Sequence, residues 1–377
     1  MDWINSSDSH ILEPEDLFEN ALGKKYADEC PRYIDEHGGI KAKFYYTGYE
    51  YVRVDEIVEG DDSTPESAAL MDEMIKASKD PYERIKCLDK DGIWAEILNS
   101  TWMLYTMRAP NDRMVRDCCE VYNDWIAEHC SADPKRLYGT SMVYMQDPEW
   151  AVKELERVHK LGLKSVLINC DTRPGWPLYH EPQYDKFWAT AQDLDMPVTL
   201  HIITGNVKDL FTFHGDDRKY VPGETYKLLQ ECTWVLSNEF IFGGILDRFP
   251  KLKIACSEFE VSWLPYWLFR ARQMKSALGP TMGIHVPDKE IDEYMPQIFH
   301  GMVDDSAWEL CIGHVPMTNI AWGSDFPHAR CTYPNSQKIV GDLFGHHDPK
   351  LMADLTYYNV ANYYNMTLPE TRAMAAE

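Results

Sequence analysis

LYGTSMVYMQDPEWAVKELERVHKLGLKSVLIN, residues 137–169, carries a strand, a helix and a second strand in immediate succession. Leu137–Tyr144 is an apolar run of strand length. Asp147 then offers a side-chain oxygen to the unpaired N–H groups of a helix start. In the helix that follows, Glu149–Leu161, Val152, Leu155 and Val158 recur at helical spacing. Ser165–Asn169 is apolar again. A unit of this kind, repeated, is the alternation of a parallel sheet whose strands are joined by helices.

Outward from this unit the same rhythm runs along the chain. The candidate strands are Trp3–Ser7, Trp94–Leu98, Leu137–Tyr144, Ser165–Asn169, Pro197–His201, Leu252–Ser257, Gln297–Met302 and Ile320–Ser324. Further helices are predicted over Asp112–His129, where Val115, Cys119, Tyr122 and Ile126 form one stripe, over Asp185–Leu194, as one or two helices over Tyr226–Phe249, and from Pro349 onward. Eight strands fit a closed (β/α)8 TIM barrel. A doubly wound sheet usually needs fewer and often carries a glycine-rich phosphate loop, which this sequence lacks. Residues 1–377 are read as a single barrel domain. One insertion interrupts the rhythm between the first and second strands: KFYYTGYEYVRV alternates about Gly48 like a hairpin, and the acidic EGDDSTPES follows. Residues 20–80 are read as an excursion over the barrel mouth, a lid or an oligomer contact.

Composition bounds the function. The chain has 377 residues, 45% of them hydrophobic, with 12 Trp, 22 Tyr and 13 Phe, so a large core is expected and disorder is not. A net charge of −24 disfavours nucleic acid and anionic membrane as partners, because a phosphate backbone needs a basic face. A small-molecule substrate is expected, and an anionic one would need local basic groups. The 10 Cys are scattered without a CxxC pair, the N-terminus MDWINSSDSH lacks a signal peptide, and no stretch reaches membrane-spanning length. These features point to a cytoplasmic protein with reduced thiols.

Barrel chemistry sits at the carboxyl ends of the strands. The first candidate strand runs into Asp8-Ser9-His10, the fifth ends in His201 and the eighth in Asp325. Side chains two apart on a strand point the same way, so Asp8 and His10 can meet one ion. Two carboxylates and two imidazoles make a mixed site for one divalent ion, zinc first, manganese or iron otherwise. Each residue also has a plain alternative: His201 as a core histidine, Asp325 as a turn cap. Their registration at strands one, five and eight is what favours the metal.

The motifs DSHILEP, YNDWIAEHCSADPKRLYG, PLYHEPQYDKFWATAQDLDMPV, LHIITG, RFPKLKIACSEFEVSWLPYWLFR and WGSDFPH together resemble the amidohydrolase 2 family, which includes aminocarboxymuconate semialdehyde and γ-resorcylate decarboxylases and ring-fission-product hydrolases. The resemblance covers nearly the whole chain. It implies a distorted (β/α)8 barrel with one metal held by Asp8, His10, His201 and Asp325, and a homo-oligomer, dimer or tetramer. Lys164 stands at the wrong end of the fourth strand to bridge a second metal. The family's decarboxylases usually carry a catalytic His on the sixth strand, where this chain has Glu258. A carboxylate there can act as general base on a metal-activated water, so the first expectation is a hydrolase of a small organic acid or ring-derived compound, with Asp325 or Glu258 as the base. A nonoxidative decarboxylase of an aromatic or muconate-like acid is the alternative, and an inactive binding barrel the second. Glu258 can equally be a buried structural acid. His328, His300 and Arg218 are candidate substrate contacts. His214 and Lys219 share the Arg218 loop, whose plain reading is a solvated surface. Glu13 can support the first-strand ligands, Trp263 and Trp267 read as core, and His346-His347 as a solvated loop.

Overall fold

The strands form where apolar residues run together between helix stops. In the computed structural model, which describes residues 2–58, 64–205, 211–214, 217–220, 222–278 and 285–374, eight of them make one parallel sheet. They are β1 (Ile4–Ile11), β2 (Ile93–Ser100), β3 (Leu137–Met142), β4 (Ser165–Ile168), β5 (Val198–His201), β6 (Ile254–Ser257), β7 (Ile298–Met302) and β8 (Ile320–Trp322). Each pairs with the next in chain order, with register shifts in the β1–β2 pair after Ile4 and between Ser6 and Ser9. Every predicted strand is present. The largest shift is in β1, which runs on through Asp8 and His10 to Ile11, so these residues stand inside the strand and not beyond it.

The sheet curls into a nearly closed barrel. Its seam lies between β1 and the end of β8, where the Asp325 N–H donates to Asp8 O (2.9 Å), the His10 N–H to Phe326 O (2.6 Å) and the Ser324 N–H to Ser6 Oγ (2.8 Å). Gly323 makes that approach feasible, since a Cβ there would stand 2.8 Å from the Asp8 nitrogen. The amino end of the barrel is plugged by the C-terminal helix. Ala95, Ile97, Tyr138, Ala255, Phe299 and Ala321 pack on Val360, Tyr363 and Tyr364, and the Tyr363 hydroxyl donates to Ile254 O and Gln297 O. The carboxyl end is left for chemistry.

The helices follow their sequence signals. Asp147 accepts from the Trp150 N–H at 3.1 Å, and the helix Pro148–Lys160 buries Val152, Leu155 and Val158 against the sheet. The segment expected as one or two helices over Tyr226–Phe249 is Pro222–Val235, a wider-wound turn Leu236–Ile241 and a short helix Ile245–Arg248. The hairpin about Gly48 exists, with φ +91° at the glycine, but it belongs to a three-stranded antiparallel sheet of Arg32–Ile34, Phe44–Tyr46 and Tyr51–Arg53. The strand Arg32–Ile34 was missed because three residues are too few to show alternation. This small sheet packs on the segment after β2, where Tyr45 stacks on Trp102 at 5.0 Å, and the short helix Asp55–Val58 that follows it meets the loop after β8, where the Ala329 N–H donates to Ile57 O. Among the described residues, no helix is long and apolar enough to cross a membrane.

Candidate metal centre

Asp8, His10, His201 and Asp325 meet at the barrel's carboxyl end. His10 Nε2 is 3.5 Å from Asp8 Oδ1 and 3.5 Å from Asp325 Oδ1, and His201 Nε2 is 3.7 Å from Asp8 Oδ2. Both rings are held from behind. His10 Nδ1 lies 2.8 Å from Ser100 O and His201 Nδ1 lies 3.0 Å from Ile202 O, which assigns the proton to Nδ1 and turns the Nε2 lone pair inward. Asn99 at the end of β2 donates to Asp8 Oδ1 at 2.7 Å. Glu13, buried, accepts from Ser100 Oγ and from the Trp102 and Met103 N–H groups, and so fixes the strand end whose carbonyl orients His10.

One atom from each of the four residues is buried with no hydrogen-bond partner: Asp8 Oδ2, His10 Nε2, His201 Nε2 and Asp325 Oδ1. Buried polar atoms are nearly always paired, so the inward-facing orphans of Asp8, His10 and His201 fit a cation; Asp325 adjoins them through His10, in an overlapping group with His328. His328 Nδ1 stands 2.8 Å from Asp325 Oδ1, though not aligned to bond it, and its ring stacks on His10 at 4.0 Å. The electrostatics agree. Burial and then Asp8 push the Asp325 carboxyl well above its ordinary range; burial would lower His201, but Asp8 and then Glu258 hold it up at about 9. Burial and then His328 keep His10 neutral. Excess negative charge draws protons into the cluster, and a divalent ion is the other way to balance it.

Glu258 Oε2 is 3.7 Å from His201 Nε2, and Glu258 shares one ligand-sized group with Asp8, His10 and His201, all offering atoms within 4.8 Å of one another. Its side chain is 29% exposed, against 7% or less for the four ligand-type residues, so it faces the open side. The carboxyl is nonetheless crowded by acids: burial, then Asp325, pushes it well above the usual carboxylate range, with Asp8 and Glu260 adding and His201 opposing.

The remaining sequence candidates divide. His328 reaches the site and also meets Thr101 Oγ1 at 3.2 Å. His300 does not converge with the cluster. It alternates with Phe299, which faces the lumen, and lies buried beside Trp263 at 5.7 Å, with both ring nitrogens unpartnered. Arg218 and Lys219 pair by backbone with Phe213 and Thr212 in a two-stranded ribbon that also holds His214; their side chains lie outside the described residues. Lys164 is exposed at the start of β4. Trp267 is buried and Trp263 packs on it at 5.9 Å. Sequence reasoning passed over Asn99, Arg84 and Glu96. The polar run Asn99-Ser100-Thr101 closing an apolar strand was the available signal for the first; nothing local marks the other two.

An amidohydrolase family model matches residues 104–365. The chain belongs to the amidohydrolase 2 family. The match includes His201 and Asp325 and begins beyond β1, so Asp8 and His10 fall outside it. The γ-resorcylate decarboxylase of Polaromonas sp. strain JS666 is 33% identical over 216 residues, 56% of this chain and 65% of that protein. The chain thus matches just under two thirds of that relative's length. Among solved structures, an amidohydrolase from Mycobacterium avium subsp. paratuberculosis K-10 superposes with a TM-score of 0.74 at 19% identity, covering 98% of both chains. A dihydroxybenzoic acid decarboxylase from Polaromonas sp. JS666, with bound manganese and the inhibitor 2-nitroresorcinol, has a TM-score of 0.66 at 19% identity, covering 98% of this chain and 99% of that one. At such identities these structural likenesses concern the amidohydrolase fold.

Proposed function

We propose that this protein is a metal-dependent, nonoxidative decarboxylase of an aromatic or muconate-like acid. The observation that carries the reading is Glu258, a third carboxyl crowded against a site already holding two. Asp8, His10, His201 and Asp325 would hold one divalent ion, which when bound supplies positive charge to the substrate's carboxylate and an adjacent hydroxyl or carbonyl oxygen. The two-imidazole, two-carboxylate set suits manganese, zinc or iron. Zinc was the first choice from sequence, but the manganese in the Polaromonas structure supports manganese ahead of it.

A dipositive ion balances Asp8 and Asp325. Glu258, 3.7 Å from His201 and partly open to solvent, is then the carboxyl placed to carry a proton to the substrate. Glu258 donates that proton to the ring carbon bearing the carboxylate; a C–H bond forms, the C–C bond to the carboxylate breaks, its electron pair restores the ring, and carbon dioxide leaves. Water re-protonates Glu258 through the exposed side of its side chain. The sequence likeness to a γ-resorcylate decarboxylase supports the same choice. The test is carbon dioxide release from hydroxybenzoates with a carboxylate flanked by hydroxyl groups, run in deuterated water. Deuterium at the vacated carbon is expected; water consumed without carbon dioxide release would favour the hydrolase.

A further inference from the structure

Away from the barrel seam, a second set of metal-type side chains converges: Glu309, His346 and His347. His346 Nε2 stands 2.7 Å and His347 Nε2 2.9 Å from the same oxygen, Glu309 Oε1. Consecutive residues on a helix or strand point apart. Here the loop after the helix Ser336–Phe344 turns so that both rings, with centroids 4.2 Å apart, face one carboxylate. The two segments are pinned to one buried side chain. Trp308, 2% exposed, packs edgewise on Phe344 at 5.1 Å and on His347 at 4.8 Å, and it directly precedes Glu309. The His347 N–H donates to Phe344 O at 3.0 Å, which holds the loop. The superficially similar group Asp247, His285 and Asp288 differs, because the Asp247 carboxylate already accepts from the Tyr294 hydroxyl, His285 Nε2 and the Asp288 N–H.

We propose that Glu309, His346 and His347 form a second, surface site for a borderline divalent transition-metal ion of the zinc, nickel or copper kind. Two imidazoles with one carboxylate suit those ions, whereas magnesium and calcium take oxygen donors. Zinc at about 2.0–2.1 Å from each ligand sets ligand atoms about 3.3 Å apart in a tetrahedron. The Glu309 oxygen needs to part from each imidazole nitrogen by only about half an ångström, and Glu309, about half exposed, can rotate to allow it. Water fills the fourth position. Bound metal ties the turn after β7 to the loop before Pro349. The inference stands apart from the reading of the barrel site.

Equilibrium dialysis of the as-purified protein against micromolar zinc, with zinc counted per chain, tests it. Wild type is expected to take up one equivalent more than the His346→Gln/His347→Gln double variant, and Glu309→Gln to weaken that uptake about tenfold or more. In the Asp8→Asn background the same difference between intact and substituted surface histidines should persist, which separates this site from the barrel. Equal uptake by wild type and the double variant, at equal thermal stability, overturns the proposal.

Discussion

Glu258 adopts φ +65°, a left-handed conformation that side-chain-bearing residues rarely hold, and Asp325 does the same at +55°, as does Ile203 at +78°. The ends of β5, β6 and β8 therefore all turn through strained residues, each at a cost of about 1–3 kcal/mol. At β6 and β8 the residue that bends the chain is itself the acid of the site. Strain of this kind persists only where the surrounding hydrogen bonds over-determine the backbone; for Asp325 the bond from its N–H to Asp8 O does so. If Glu258 is the proton donor, Glu258→Gln keeps its shape and loses the proton, and kcat should fall by about 10²–10⁴ with metal content unchanged. The sign of the pH profile follows. A donor works only while protonated, so wild-type activity should fall as pH rises through the Glu258 pKa of the metal-loaded enzyme, and the descending limb should vanish in the Gln variant. A variant with wild-type kcat would remove Glu258 from the chemistry.

At the scale of elements, the helix Pro81–Asp91 reaches into the barrel seam through Arg84. Its guanidinium is fully buried, donates twice to Glu96 on β2 (2.7 Å each), and donates to His10 O (2.8 Å) and Phe326 O (3.4 Å). It lies over the Phe326 ring at 4.2 Å. One side chain thus joins β2, the part of β1 that carries Asp8 and His10, and the residue after Asp325. Arg84→Met would leave Glu96 charged and unpaired in a dry site, at a cost of about 3–5 kcal/mol. It would also loosen the seam, and metal affinity should drop by about 10–100-fold. Denaturant unfolding and a metal-competition titration read the two effects; unchanged affinity would show that Arg84 only braces the fold.

Across the whole molecule, acid sensitivity should come partly from histidines buried as neutral groups. His129 closes the helix Asp112–Cys130, is 5% exposed, and is held down to about 4 by burial, then by Arg84, with Asp80 opposing. The folded value lies below the ordinary 6.5, so the unfolded chain takes up the proton first. The stabilisation is therefore fully present above about 6.5 and is lost as pH falls toward about 4; it is on the order of 3 kcal/mol. His129→Gln should flatten the decline of the unfolding midpoint across that window, whatever it does to stability at neutral pH. An unchanged slope would assign the acid sensitivity to other groups.

What the sequence determined by itself was the local and the periodic. Eight strands and the helices between them were legible because a strand or helix facing a core must repeat its apolar residues at a spacing set by its own geometry. Asp8, His10, His201 and Asp325 stood out as candidates because strand ends are where a barrel exposes side chains, and these are metal-binding types in register with those ends. Tertiary structure alone decided the rest. His300 looked like a pocket residue, but one step of strand alternation turned it beside Trp263. Arg84 and Glu96 carry no pattern at all, since their meaning comes from a seam between residues more than two hundred positions apart. The state of Glu258 is of the same kind: a carboxyl's proton is set by the charges around it, and Asp8, His201 and Asp325 become its neighbours only when the barrel closes.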